Sequence, residues 1–413
     1  KSRRTFANIM KYDFTTVWQR KGMDCRVIDM VGKYTSTGGP GMPKEGFDII
    51  PMWIADMNFA TAPSVIQAIT DRLQHPLFGY FDFRNEYYES IIQWHRERYH
   101  VEGMTQNNIS YINGVHGGNL NALKTFCSVG SPVLIHTPAY SSFLLNLQRG
   151  GYKTVASPLV QDEDNVWRMD FDDMEKKIRD NKIHIAVFCS PHNPTGRVWE
   201  RWELEAALEI FKKYDVTVIS DEIWFDLAFP GYQHIPTQSI NEDARNRVIA
   251  TYAPTKTFNL AGFVGGYTVI YNQTLRDKFL QEMSLSHLNN NNLMAMYSLI
   301  GAYKPEGGEW VDELRQVLAA NAQYACDFIE ENFEGVTFSR PQGTYMLFLN
   351  CAGWLKAHNK SLDELLHAGY DVGVVWQDGR AFAGPTHIRM NLALPTVRVQ
   401  EAFARLKKYV FCV

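Results

Sequence analysis

Short runs of consecutive apolar residues recur along the middle of the chain, at 109–112, 132–136, 185–189, 216–220, 248–250 and 265–271, and each ends in a polar or glycine-bearing turn. Unbroken apolar runs, rather than alternation, are the pattern of strands covered on both faces, as in a parallel sheet. Between them lie amphipathic stretches that predict helices at 62–73, 86–99, 119–127 and 203–214, the first opened by Pro63 in its first turn. Strands and helices alternating from about 60 to 300 predict an α/β fold with a mostly parallel sheet and helices on both faces. Beyond it the pattern changes. One long helix is expected over 275–303, with the asparagine run Asn289 to Asn292 in its middle, and another over 309–332. Strands at 336–338, 343–349 and 387–392 and a closing helix over 397–409 make a smaller α+β unit. The first 60 residues are rich in Gly, Pro and aromatics and lack periodicity. We therefore divide the chain into an N-terminal arm packing with the small domain (1–60), a large domain (61–300) and a small domain (301–413).

Composition narrows the class. At 413 residues with 45% hydrophobic content the chain can bury a large core in two domains. A net charge of −4 leaves no basic footprint for nucleic acid, which points to a small-molecule partner. No apolar run is long enough to span a bilayer, and no apolar segment follows the basic start KSRRTFANIM. The chain begins at Lys1, so a removed leader stays open. Six scattered cysteines with no C-x-x-C pair read as reduced core thiols of a cytoplasmic protein. Cys189 and His192 have no second ligand pair nearby, so no metal site is expected.

Polar residues at the ends of the apolar runs carry the chemistry. Lys256 lies in the loop between the strands at 248–250 and 265–271, with Thr251, Thr255, Thr257 and Asn259. A lysine leaving a core strand loses water, its pKa falls, and its amine becomes a nucleophile for aldehydes. The strand 109–112 runs through Asn113-Gly114-Val115-His116-Gly117-Gly118 into a helix, which makes an anion site of the free N–H groups at the helix start. This is not G-x-G-x-x-G, so phosphate fits and a dinucleotide does not. Asp221 closes the strand 216–220, where a carboxylate needs a cation or serves as a helix cap. Arg389 interrupts an otherwise apolar strand, and its fork suits a carboxylate, either of a ligand or of a structural ion pair. Taken alone, Tyr80 reads as a packing residue and Tyr140 as a turn aromatic.

The segment A-P-T-K-T-F-N-L-A-G around Lys256 resembles the cofactor-lysine segment of the pyridoxal-phosphate (PLP) enzymes of the aspartate aminotransferase fold (fold type I), most closely the MalY/PatB-type cystathionine β-lyase or C–S lyase subgroup. Met52 to Phe59 resembles that subgroup's W-x-A-D-M-D-F arm, with Asn58 in place of the second Asp, and Ser190 to Gly196 resembles the fold's N-P-T-G motif. The resemblance covers nearly the whole chain in matching order. It implies Lys256 as the Schiff-base residue and general base, Asp221 on the pyridine nitrogen, Tyr140 flat against the ring and Asn193 on the phenolic oxygen. It implies Gly117, Gly118, Thr255 and the partner subunit's Tyr80 around the phosphate, which makes the protein a homodimer. Trp224 stands where many aminotransferases carry a tyrosine, Ala253 where they have serine and Val264 where many have arginine. For the substrate it implies Arg389 as the α-carboxylate clamp, with Asn193 beside it and backbone contacts from Ala55 and Asp56. The activity implied is β-elimination from cystathionine or a related S-substituted cysteine, giving thiol, pyruvate and ammonia. An aminotransferase acting on an amino acid and a 2-oxo acid, and a PLP-fold protein that binds a regulator, are the alternatives. The aromatic stretch 78–88 is the expected wall of the side-chain pocket.

Overall fold

The computed structural model describes residues 10–411; the basic start of the chain and Cys412 lie outside the described residues. Seven strands form the central sheet: β1 (Ile109–Ile112), β2 (Pro132–Thr137), β3 (Lys153–Pro158), β4 (Ile185–Cys189), β5 (Thr217–Asp221), β6 (Val248–Tyr252) and β7 (Gly266–Val269). Their order is β1-β7-β6-β5-β4-β2-β3, and only β7 runs against its neighbours. The interior strands are buried along their length, as their unbroken apolar runs require. Helices cover both faces, which confirms the α/β class. The register puts Cys189, Asp221 and Thr251 side by side at the carboxyl ends of β4, β5 and β6. Ligands bind at that edge of such sheets.

A second sheet of four antiparallel strands is ordered Thr337–Phe338, Met346–Asn350, His387–Asn391, Gln377–Asp378. Arg389 lies in its interior, between Phe348 and Gln377. The N-terminal stretch joins this half of the molecule through Ile50–Pro51, which pairs in parallel with Val374–Val375. The helix Pro305–Asn332 runs beneath both halves and buries Trp310, Val311, Leu314 and Leu318. No described helix is long and apolar enough to cross a membrane.

Three expectations are corrected. The single helix over 275–303 is two, Gln273–Ser286 and Leu293–Ala302. His287 ends the first in the left-handed region, and the Asn292 side chain caps the second by accepting from the Ala295 N–H, so the asparagine run is a linker. The helix expected from Asn119 begins at Val115, because Gly114, at φ +83°, makes the turn alone. Gly118 then sits inside the helix, where a Cβ would fall 2.5 Å from Ile112 Cδ1, so its glycine serves close packing of helix on strand. Thr251, assigned to the lysine loop, belongs to β6.

Candidate active site

The loop after β6 turns Lys256 back under the carboxyl edge of the sheet, beside the loops after β2, β4 and β5. Lys256, Asp221, Tyr140, Asn193, Trp224, Thr255 and Ala55 line one cavity of about 230 Å³. These residues come from five separate places in the chain.

Lys256 Nζ donates to the Ala55 carbonyl at 3.0 Å. Burial lowers its pKa from 10.5 to about 8, and the Arg389 charge adds to the fall against the pull of Asp56 and Asp221. Burial raises Asp221 from 3.8 to about 6, opposed by the Ile223 N–H and the Asn119 amide, which both donate to it. The Asn119 contact is 2.8 Å, and Asn119 Oδ1 accepts in turn from Thr251 Oγ1 at 2.9 Å.

Arg389 is 2% exposed and has no acidic partner among the described residues. Its Nη1 donates to Asn193 Oδ1 at 3.0 Å, its Nη2 to the Trp53 carbonyl at 3.2 Å and to Gln377 Oε1, and its buried Nε has no acceptor. Burial brings its pKa down from 12.5 to about 10. The ion pair that could have explained this arginine is therefore not formed, and a guanidinium held only by neutral acceptors has capacity for an anion.

The 53–59 turn meets both cations, Trp53 O accepting from Arg389 and Ala55 O from Lys256. Three parts of the chain hold it. Arg20 pairs with Asp56 at 3.0 Å and donates to Asn58 Oδ1 at 2.8 Å, so Asn in the second Asp position still serves as the acceptor. Asn391 Nδ2 donates to the Ile54 and Asp56 carbonyls, and Asn259 Nδ2 to those of Met57 and Phe59.

Tyr140 lies at the cavity wall, its ring 5.2 Å from His116 at 16° and its hydroxyl 3.1 Å from His116 Nε2. Trp224 is buried edge-on against Tyr345 at 4.7 Å, and Lys256 Nζ stands 5.9 Å from its ring. The anion site is shifted from the expected one. Gly118 N–H donates to Gly114 O and is spent within the helix, so the donors with no acceptor in the first turn are Val115, His116 and Gly117. Val115 and His116 line the cavity, whereas neither Gly117 nor Gly118 does. Tyr80 is not brought to the site of its own chain: its side chain is fully exposed, in an open cleft with Phe78, Phe81 and Asn289 to Asn292.

The sequence reading missed His116, Asn119 and Gln377. For Asn119 a signal was present. Val115, Gly118, Ala122 and Leu123 form the buried apolar stripe of the helix, and Asn119 and Asn121 are the polar residues buried with it.

A nucleophilic amine, a carboxylate buried across the same cavity, an aromatic wall, free N–H donors at a helix start and an unpaired guanidinium form a donor set that fits a flat anionic aldehyde and an amino-acid carboxylate. Comparison with known proteins agrees with this chemistry. The chain is 29% identical to protein MalY of Escherichia coli (strain K12), over 96% of this chain and 98% of that protein. It is 28% identical to cystathionine β-lyase PatB of Bacillus subtilis (strain 168), over 87% and 92%. The crystal structure of the PLP-bound C–S lyase from Staphylococcus hominis superposes with a TM-score of 0.87 at 28% identity, covering 97% of this chain and 99% of that one. The model of the aminotransferase class I and II family matches residues 48–406, and the chain belongs to that family.

Proposed function

We propose that the protein is a PLP-dependent carbon–sulfur β-lyase that converts cystathionine or a related S-substituted cysteine to a thiol, pyruvate and ammonia. The observation that carries the reading is the pairing of two cations with no carboxylate bonded to either: half-buried Lys256, held by one backbone carbonyl, and buried Arg389, held by neutral acceptors with its Nε free. Such a pair suits an aldehyde and a carboxylate, which are the groups that PLP and an amino acid present. The names of two similar proteins, cystathionine β-lyase for PatB and C–S lyase for the Staphylococcus hominis enzyme, favour elimination over amino exchange.

In this reading Lys256 Nζ holds the cofactor aldehyde, Asp221 keeps the ring nitrogen protonated and Tyr140 stacks on the ring. Asn193 takes the phenolic oxygen, Trp224 closes the ring edge, and Thr255 with the Val115, His116 and Gly117 N–H groups takes the phosphate. Bound there, PLP supplies an electron-withdrawing ring in conjugation with the substrate Cα. Arg389, with Asn193 beside it, orients the α-carboxylate, and the Ala55–Asp56 turn lies against the substrate. Lys256 Nζ, with its pKa lowered to about 8 by burial, would be the base that takes the Cα proton, so that the thiolate could leave from Cβ. The exposed Tyr80 supports a homodimer in which this side chain reaches the partner's site. The five described cysteines are all free, which supports a cytoplasmic location.

The test is to incubate the purified yellow protein with cystathionine and, separately, with an amino acid plus a 2-oxo acid. Pyruvate and free thiol without added oxo acid are expected. Amino exchange in the second mixture with no pyruvate in the first overturns the lyase reading.

A further inference from the structure

Asp221 is not presented to the cavity by its strand alone. Two buried side chains behind it, Asn119 (3% exposed) and Thr251 (fully buried), form a chain that ends on its carboxylate. Thr251 Oγ1 donates to Asn119 Oδ1 at 2.9 Å, and Asn119 Nδ2 donates to Asp221 Oδ2 at 2.8 Å. Thr251 also neighbours Asp221 in the sheet register, so β6 fixes where the chain starts. The other carboxylate oxygen accepts from the Ile223 N–H at 3.1 Å.

This order of donors has one consistent direction. With its amide reversed, Asn119 would set an oxygen against the Asp221 oxygen, which repels an ionised carboxylate. The ionised carboxylate can only accept, so it fixes Nδ2 toward Asp221 and leaves Oδ1 to accept from the Thr251 hydroxyl. Buried polar side chains are expensive unless hydrogen-bonded, and here both groups of the Asn119 amide are used, one on Asp221 and one on Thr251.

We propose that Asn119 and Thr251 are positioning residues that hold Asp221 ionised and aimed, so that its remaining lone pair meets the protonated nitrogen of a pyridine-ring ligand. The inference rests on the PLP reading above. Its ligand chemistry is specific: only a ring with a nitrogen at that position gains from the pair.

The test uses the full chain stripped of cofactor and reloaded with PLP or with its 1-deaza analogue, which keeps the aldehyde and phosphate but has carbon in place of the ring nitrogen. Dissociation constants are read from the visible absorbance of the lysine-bound ligand, and melting of the stripped chains is followed in parallel. Asn119→Leu is expected to weaken PLP about tenfold to a hundredfold, the loss that follows from removing a hydrogen bond to a charged group. The isosteric Thr251→Val should weaken it by roughly threefold to tenfold, through the freed amide. Both variants should bind the deaza analogue as the unaltered chain does. Should Asn119→Leu fold poorly, Thr251→Val carries the comparison. Equal losses for both ligands, or no loss for PLP, overturn the proposal. Failure of the unaltered chain to bind PLP at all overturns the cofactor reading itself, and this inference with it.

Discussion

Replacing Arg389 with methionine should separate stability from activity. The guanidinium is buried in a strand, and desolvation holds its pKa near 10 instead of 12.5. A drop of that size corresponds to roughly 3 kcal/mol by which folding disfavours the charged form. At neutral pH, below both values, that whole penalty is present. Methionine removes it and fills much the same volume beside Phe382, over whose ring the guanidinium now lies at 4.2 Å. Against this, Asn193 Oδ1, Gln377 Oε1 and the Trp53 carbonyl each lose a donor, at about 1 kcal/mol apiece. The two effects oppose one another and are of similar size. The melting temperature of Arg389→Met should therefore stay within about 3 °C of the unaltered protein. Catalysis has no such compensation. Loss of a forked, charge-assisted contact to the substrate carboxylate removes about 3 kcal/mol or more, so kcat/KM for cystathionine should fall at least about a hundredfold. Arg389→Lys, which keeps the charge but not the fork, should lie between. Melting curves and initial-rate kinetics on the same preparations decide the matter. A collapse in melting temperature would mark Arg389 as a structural tie, and an unchanged kcat/KM would put the carboxylate site elsewhere.

The lysine and the glycine turn give two further expectations. Because burial brings Lys256 to about 8, its neutral fraction grows with pH through that value. The rate at which stripped protein captures PLP should therefore rise with a midpoint near pH 8, and a midpoint near the ordinary 10.5 would mean that the amine is solvated. Gly117 is helical with open space around it, so Gly117→Ala should leave stability unchanged or raise it by up to about 1 kcal/mol and keep PLP affinity, since only its N–H is used. Gly114→Ala, at φ +83° and with its new Cβ 3.2 Å from the Val264 carbonyl, should destabilise by about 1–3 kcal/mol. Urea unfolding of both variants checks the pair, and equal effects would refute the placement of the turn.

What could be read from the sequence, and what could not, divides along a physical line. Lys256, Asp221 and Arg389 were legible because each breaks a local rule, a charged group at the edge of or inside an apolar run, whereas Tyr140 and Asn193 were legible only through motif resemblance; the structure gathers all five around one cavity or at its rim. The strands were legible for the same reason, since burial on both faces leaves an unbroken apolar signature. Helix starts were not. At Asn113 to Gly118 the three glycines are equivalent as letters, yet Gly114 makes the turn, Gly117 leaves a free N–H and Gly118 allows contact with Ile112. Which glycine does which depends on the strand packed beneath the helix, and that is tertiary information. The same holds for the break at 287–292, where the asparagine run as letters suits a polar helix face or a linker, and the left-handed His287 and the Asn292 cap decide.

Asn119 sharpens the distinction. Its helix stripe was readable and its polarity on that stripe was readable, but its purpose needs Thr251 and Asp221, which lie on two strands, 132 and 102 residues away. A buried amide of this kind is ambiguous until both of its ends are assigned, because an asparagine can donate and accept with equal ease. The acceptor-only Asp221 carboxylate removes the ambiguity, and Thr251 braces the far end of the amide from the neighbouring strand, so any shift of β6 against β5 would misalign Lys256 and the Asp221 support together. Six residues after the strand begins at Val248 the chain reaches Pro254, and two more bring it to Lys256. The amine and the support of the carboxylate are thus set by one strand. This is a physical reason for placing the lysine at the end of β6, and not on a loop free to move independently of the acid that it faces.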